Sequence, residues 1–279
     1  MNVHNYQYFI LYLFVALTAT LHVHSKRIED YDRELDNLDF GAKYGLSKSE
    51  TISSENLNRI IAGAESGNKD KLYFLGLLKL YGISVNRNPT AALQHIYEAA
   101  QLGLPEAMTA YGVMHYVGIS VQQDRAVAIE WLRKGTVAND MNAHWFLGKV
   151  YLETAVASGQ GEVEALTHFS VAAEKGVPQA LHYLGLMYEY GRGVSQNFRI
   201  AAEYYRRSVE LGYVESMYNL ALMLCEGRGL EQSFNQAIPL FEAGSKANHA
   251  PSMYMMGVMR LQVIIMIFKM IVNFVIRRC

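Results

Sequence analysis

The chain is 279 residues long, 51% hydrophobic, with a net charge of −1 and only two cysteines, Cys225 and Cys279. Near-neutral charge excludes a surface built to hold nucleic acid or anionic lipid by electrostatics, and two cysteines exclude a disulfide framework or a thiolate zinc site. The apolar content is ample for a core, and the partners expected of such a chain are proteins or peptides.

Phe9 to Leu21 is an apolar run of 13 residues followed by Val23, His24 and Ser25, which reads as a signal peptide over 1–25 cleaved before Lys26. The run is too short to span a bilayer comfortably, since a crossing helix needs about 20 apolar residues. From Lys26 to Asp39 there are six acids and three bases, so 26–52 reads as an acidic linker together with a degenerate first-repeat helix. Ser54-Glu55-Asn56-Leu57, followed by Ile60, Ile61 and Ala64, predicts a capped amphipathic helix ending at Gly67.

A repeat then sets in. The glycines Gly76, Gly112, Gly148, Gly185 and Gly257, with Ala221 in place of one, follow at spacings of 36, 36, 37, 36 and 36. A period of this size is the mark of stacked helical hairpins that hide their apolar faces against their neighbours. Complete units fall at 68–103, 104–139, 140–176, 177–212 and 213–248, each divided into two helices. The first opens on proline in three copies, Pro105, Pro178 and Pro251, where a missing N–H is harmless. Gly82, Gly118, Gly191 and Gly227 end it, and six residues later stand the N-cap types Asn88, Asp124, Asn197 and Ser233. Alanine-rich second helices close on Gly103, Gly176 and Gly212. The third unit has Thr154 for its loop glycine and one extra residue, and the fifth carries Pro239 inside its second helix, where a kink is expected.

The sixth repeat reaches Gly257 and then loses the pattern, so the array is expected to run over 53–259. The tail, 260–279, contains an apolar stretch of 14 residues from Val263 to Ile276 and ends in Arg277-Arg278-Cys279. It reads as a truncated repeat, a short membrane anchor or a partner-docking helix. The fold class expected is all-α, a right-handed α/α superhelix of helical hairpins with five complete repeats and partial ones at both ends.

Motifs for catalysis do not emerge. The nine histidines form no His-x-x-x-His pair, and no Gly-x-Ser-x-Gly, phosphate loop or Cys/His constellation stands in a recognisable context. No catalytic residue, cofactor or metal is expected. The segments Gly191-Arg192-Gly193 and Gly227-Arg228-Gly229 fit helix-ending turns, and would otherwise present two arginines to an acidic partner.

The pattern Ala180-Leu181-His182-Tyr183-Leu184-Gly185-Leu186-Met187-Tyr188-Glu189-Tyr190-Gly191-Arg192-Gly193-Val194 resembles the Sel-1-like repeat family, and the resemblance covers about residues 55–259. Members of that family that pair a signal peptide with these repeats are similar to the lumenal adaptor of endoplasmic-reticulum-associated degradation. The resemblance therefore implies a non-enzymatic scaffold in the endoplasmic reticulum lumen or membrane, with misfolded clients and subunits of a membrane ubiquitin ligase as partners. Two rival readings stand beside it, a secreted repeat protein with hydrolase-like activity and a cytosolic signalling scaffold.

Within each first helix, positions five and one before the pivot and three after it share a stripe, holding Ala107, Ala143, Ala180, Leu75, Leu147, Leu184, Tyr151 and Tyr188; that stripe is expected to be core. Positions three before, one after and four after the pivot face the other way. They include Tyr73, Trp145, Lys149, His182, Tyr218 and Tyr254, the candidate protein-binding groove. The same aromatic residues also suit packing between adjacent hairpins, and both readings are open at this stage.

Overall fold

The computed structural model describes residues 52–154 and 160–261; the expected signal peptide, most of the linker, and the tail beyond 261 lie outside them. Among the described residues there are twelve helices and no strand. In chain order they are α1 (Ser54–Glu65), α2 (Lys69–Tyr81), α3 (Pro89–Gln101), α4 (Pro105–Val117), α5 (Arg125–Val137), α6 (Met141–Thr154), α7 (Gln160–Glu174), α8 (Pro178–Tyr190), α9 (Phe198–Glu210), α10 (Val214–Glu226), α11 (Phe234–Lys246) and α12 (250–261). The chain divides at Val177 into two compact units. In each of them the all-α architecture of paired helices expected from the period is present.

In the unit ending at Val177, the strongest associations are within hairpins, α2 with α3, α4 with α5 and α6 with α7; α1 packs on α2, α3 on α4 and α5 on α6. The pivot glycines explain the period. A Cβ added at Gly76 would lie 2.8 Å from Ile96 Cγ1, one at Gly112 3.0 Å from Leu132 Cγ, and one at Gly148 2.8 Å from Phe169 Cε1. Each pivot is therefore where the first helix lies almost backbone-on against a bulky side chain of the second. The carbonyl of an alanine four residues earlier, Ala92, Ala128 or Ala165, closes the same seam. Of the predicted core stripe, Leu75, Ala107, Ala143, Leu147 and Tyr151 are buried here, as are Ala180 and Leu184 in the other unit, while Tyr188 is half-buried.

The unit from Pro178 onward repeats the arrangement with α8 against α9 and α10 against α11. Its core gathers Ala201, Tyr205, Leu220, Ala221, Met223, Phe241 and Met255. Gly185 takes the ring of Tyr205, and Ala221, the one substituted pivot, stands in the same core as Phe241. Gly244 of α11 meets Ser252 of α12, the close approach of one hairpin to the next.

Local signals account for the boundaries. Gly82, Gly118 and Gly227 cap their helices at φ of 71°, 87° and 69°, the left-handed region in which a side chain is costly. Asn88 accepts from Ala91 N at 3.0 Å, Asp124 from Ala126 N at 2.9 Å, and Asn197 from Ile200 N at 3.1 Å. Ser233 departs from the expectation, because it holds the cap position without a side-chain hydrogen bond. The closing turns contain a substitution the sequence reading passed over. Where three copies use Gly103, Gly176 and Gly212, two others place Asn139 and Asn248, also at positive φ, 67° and 59°. Asparagine is the residue that best tolerates this conformation after glycine. Pro239 lies inside α11, which continues past it to Lys246.

Candidate protein-binding face and the chemistry around it

The residues three before each pivot were the core of the candidate groove, and the structure places most of them inside. Tyr73, Trp145, Lys149 and His182 are buried, at 1%, 2%, 3% and 7% exposure; Tyr218 is half-buried, and Tyr254 alone is open, at 53%. An exposed aromatic ladder is thus not what the first four form. The physical reason is visible where neighbouring hairpins of one unit meet. A side chain at this position lies over the residue that precedes the next first helix. Thr109 donates to the Asp140 carboxylate, the ring of His182 meets that of Tyr213 with centroids 5.2 Å apart, and Tyr218 meets His249 at 5.5 Å. A helical wheel identifies this face as distinct from the hairpin seam, but it does not show that the next hairpin covers it. Lys149 keeps its ammonium 5.8 Å from the centre of the Tyr116 ring, a cation over an aromatic face.

His182 sits in a buried polar chain. Its Nδ1 is 2.9 Å from Ser216 Oγ, Ser216 donates to Ser208 Oγ at 2.8 Å, and Ser208 donates to the Pro178 carbonyl at 2.8 Å. Burial, reinforced by His249, lowers the His182 pKa to about 3, so the ring is neutral at physiological pH. A serine beside an imidazole has the outline of a nucleophile and its base. Ser208 and Ser216 are both fully buried, however, and the Ser216 hydrogen is committed to Ser208, so the group works as a polar link between α8, α9 and α10.

Arg228 bears out the turn reading of its motif over that of an arginine offered to an acidic partner. It does not project from its Gly-Arg-Gly turn. Its guanidinium donates to Glu189 at 2.6 Å, pairs with Glu226, and lies 5.6 Å from the Phe198 ring centre. Glu189 is only 4% exposed and also accepts from Tyr205 OH at 2.6 Å. Burial alone would lower the Arg228 pKa, but Glu189 and Glu226 outweigh it and raise the value. For Tyr205, burial and the charge of Glu189 act together and hold the phenol firmly protonated. Glu189 and Arg228 are 39 residues apart, a pairing no local motif announces. Cys225 is a buried free thiol whose pKa is pushed up to about 12, by burial first and by Glu226 second, which makes it a poor nucleophile.

In the unit ending at Val177, the third hairpin brings together residues that no spacing rule connects. His144 of α6 and His168 of α7 face each other with their Nδ1 atoms 3.0 Å apart. The Tyr151 ring stacks on His168 with centroids 5.7 Å apart, and Arg133 donates to Tyr151 OH at 2.6 Å. Among the described residues no three of His, Cys, Asp and Glu converge in a manner suited to a metal ion, and no helix is long and apolar enough to cross a membrane.

Hairpins repeated on a glycine seam, with their polar chemistry turned inward, define a helical repeat protein. The Sel1 repeat model matches residues 72–104, 105–136, 178–213 and 214–249, and the chain belongs to the Sel1-repeat family. The copy at 140–176, which has Thr154 for the loop glycine, falls outside those matches although α6 and α7 form its hairpin. A Sel1 repeat protein from Oxalobacter formigenes is similar at a TM-score of 0.61 and 26% identity, over 67% of this chain and 74% of its own. A protective antigen of uropathogenic Escherichia coli strains, displaying the same fold, gives a TM-score of 0.61 at 28% identity, over 80% of this chain and 49% of its own. An uncharacterized protein of Neisseria meningitidis serogroup B is 28% identical over 145 residues, which is 52% of this chain; the chain spans 30% of that relative's length. Sel1-repeat proteins are protein-interaction scaffolds, typically non-catalytic.

Proposed function

We propose that this chain is a non-enzymatic adaptor of the secretory pathway that holds other polypeptides, in protein quality control and ubiquitin-dependent degradation from the endoplasmic reticulum. The observation that carries the adaptor reading is the repeat: one hairpin design is used again and again, as in the scaffolds of its family. The fate of its reactive side chains supports the same reading over a hydrolase-like rival. Ser216 and His182 are consumed in a buried link and the Cys225 thiol is held protonated. The secretory assignment is supported by the apolar run Phe9 to Leu21 and the small-residue site before Lys26.

Two measurements on the full chain expressed in its native cells test the proposal. Sequencing of the mature N-terminus is expected to start at Lys26, and chemical crosslinking in microsomes is expected to join the chain to a membrane ubiquitin ligase subunit. Retention of Met1 on a cytosolic product would overturn the compartment, and crosslinks to no ligase subunit would overturn the degradation role.

A further inference from the structure

Helix α12 is the first helix of a copy, and no second helix follows it among the described residues. Gly257, in register with Gly76, Gly112, Gly148 and Gly185, is exposed, and nothing described lies within 4 Å of a Cβ built there. Around it Met253, Tyr254 and Leu261 share one helical face at exposures of 48%, 53% and 58%. The earlier copies show what such a face is for. At the register of Leu261 stand Leu80, Tyr116, Leu152, Glu189 and Cys225, every one of them buried. A face that each other copy covers, left apolar and open here, marks a docking surface.

The cover has a defined chemistry. In every complete copy the second helix carries an alanine and, four residues later, a bulky side chain, from Ala92 and Ile96 in α3 to Ala237 and Phe241 in α11, and both members of each pair are fully buried. The bulky residue fills the space over the pivot. The alanine lets the backbone come close, so that its carbonyl lies 3.2 Å from the Cβ position at Gly76, 3.1 Å at Gly112 and 3.2 Å at Gly148. Residues 258–279 contain no alanine or glycine, and α1, a second helix by its register, has Asn56 where the alanine belongs. Neither the stretch that follows Gly257 nor α1 of a second copy therefore carries the pair.

We propose that the face of α12 around Gly257 binds an amphipathic helix of a partner polypeptide, one that carries alanine and, four residues on, isoleucine, leucine, phenylalanine or tyrosine, and so completes the sixth hairpin in trans. The mode is a helix laid into an apolar groove, with its anchors one turn apart. Arg260 adds a selection. It is exposed and holds the register of Lys79, Tyr151 and Tyr188, each of which meets the residue just before the bulky one. Lys79 Nζ is 2.8 Å from His95 Nε2, and the rings of Tyr151 and Tyr188 stack on His168 and Tyr204 with centroids 5.7 and 5.6 Å apart. A guanidinium in that place selects tryptophan or tyrosine in the partner, as a cation over an aromatic face. The inference gives the adaptor reading a partner chemistry and rests on that reading, but not on the compartment or the ligase.

The probe is a fluorescein-labelled peptide of residues 123–138, which holds Ala128, Trp131 and Leu132 in the required spacing. A lactam between Glu130 and Lys134, exposed side chains already 2.7 Å apart in α5, fixes it as a helix. Fluorescence anisotropy with the purified full chain is expected to show saturable one-to-one binding. Ala128→Leu or Leu132→Ala in the peptide is expected to weaken it at least about tenfold, and Trp131→Lys about threefold. Gly257→Leu in the chain, at a position with room for the side chain, is expected to abolish binding while the urea midpoint is held or raised. A photo-crosslinking amino acid in place of Met253 is expected to attach the labelled peptide. No binding, binding undiminished by Ala128→Leu or Gly257→Leu, or crosslinks that join residue 253 only to residues 262–279 or to a second copy would overturn the proposal. Because chain and peptide are purified, that failure is read separately from the N-terminal sequencing and the microsomal crosslinks.

Discussion

Gly185→Ala and Gly257→Ala are the same substitution at the same register of two repeats, and the structure gives them opposite signs. At Gly185 the new methyl would lie 2.5 Å from Tyr205 Cε1 and 2.6 Å from Cδ1, about 1 Å inside the optimum carbon–carbon separation of roughly 3.5–4.0 Å. The ring has little room to retreat, because it is fully buried and its hydroxyl is tied to Glu189 at 2.6 Å. Overpacking of this kind costs about 1–3 kcal/mol, and a pinned ring places the site near the upper end. Alanine returns about 1 kcal/mol in helix propensity, so the net destabilisation is about 2 kcal/mol. At Gly257 nothing described lies within 4 Å of the new methyl, so the propensity term acts alone and the chain gains about 0.5–1 kcal/mol. Urea unfolding followed by far-ultraviolet circular dichroism reads both, as a lower midpoint for Gly185→Ala and a higher one for Gly257→Ala. Equal midpoint shifts in the same direction would refute the view that the pivot glycines exist to admit a bulky partner.

Two further outcomes concern the polar interior and a third a closing turn. The folded His182 pKa, about 3, lies below the unfolded value of 6.5, so its contribution is fully present above pH 6.5 and is lost as pH falls from there toward 3. At pH 4.5 the loss is about 2–3 kcal/mol. His168 titrates in the same direction, and His182→Tyr, the residue at that register in Tyr218, is expected to flatten the acid limb of a stability–pH curve measured by urea midpoints. Arg228→Ala removes the ion partner of the buried Glu189 and is expected to destabilise by about 2–3 kcal/mol; adding Glu189→Gln, which drops the charge and keeps an acceptor for Tyr205 OH, should recover most of it, which a double-mutant cycle measures. Asn139→Ala, at φ 67°, is expected to cost about 1 kcal/mol, while Asn139→Gly is neutral or slightly stabilising, as thermal unfolding of the two variants would show.

The parts of the fold that the sequence announces are those enforced by a residue type at a fixed interval. A pivot glycine reports a space too small for a methyl, a loop glycine reports a left-handed turn, and both recur because the same geometry recurs. Asn139 and Asn248 went unread because asparagine is a second solution to a requirement usually met by glycine. The candidate binding face was legible as a face and not as an environment. Helical periodicity separates Tyr73 and His182 from the hairpin seam, yet whether that side is open depends on the next hairpin of the same unit, about 36 residues on, and both side chains are buried. Long side chains widen the gap further. Arg228 reaches Glu189 across 39 residues and His144 meets His168 across 24, and in both cases the partner is fixed by helix packing.

The seam of glycine against bulky side chain also determines how such a gene can lengthen. A duplicated stretch of one whole period arrives with its small residue, its large residue and both end caps already in phase, so the new copy can bury itself at once. A single inserted residue inside a helix would instead swing everything downstream by about 100° and strand the caps. The one irregular interval, 37 residues between Gly148 and Gly185, has its extra residue between Gly148 and Phe169, and the glycine still meets that ring as its counterparts meet theirs. Growth by increments of one hairpin is the inheritance rule this packing imposes.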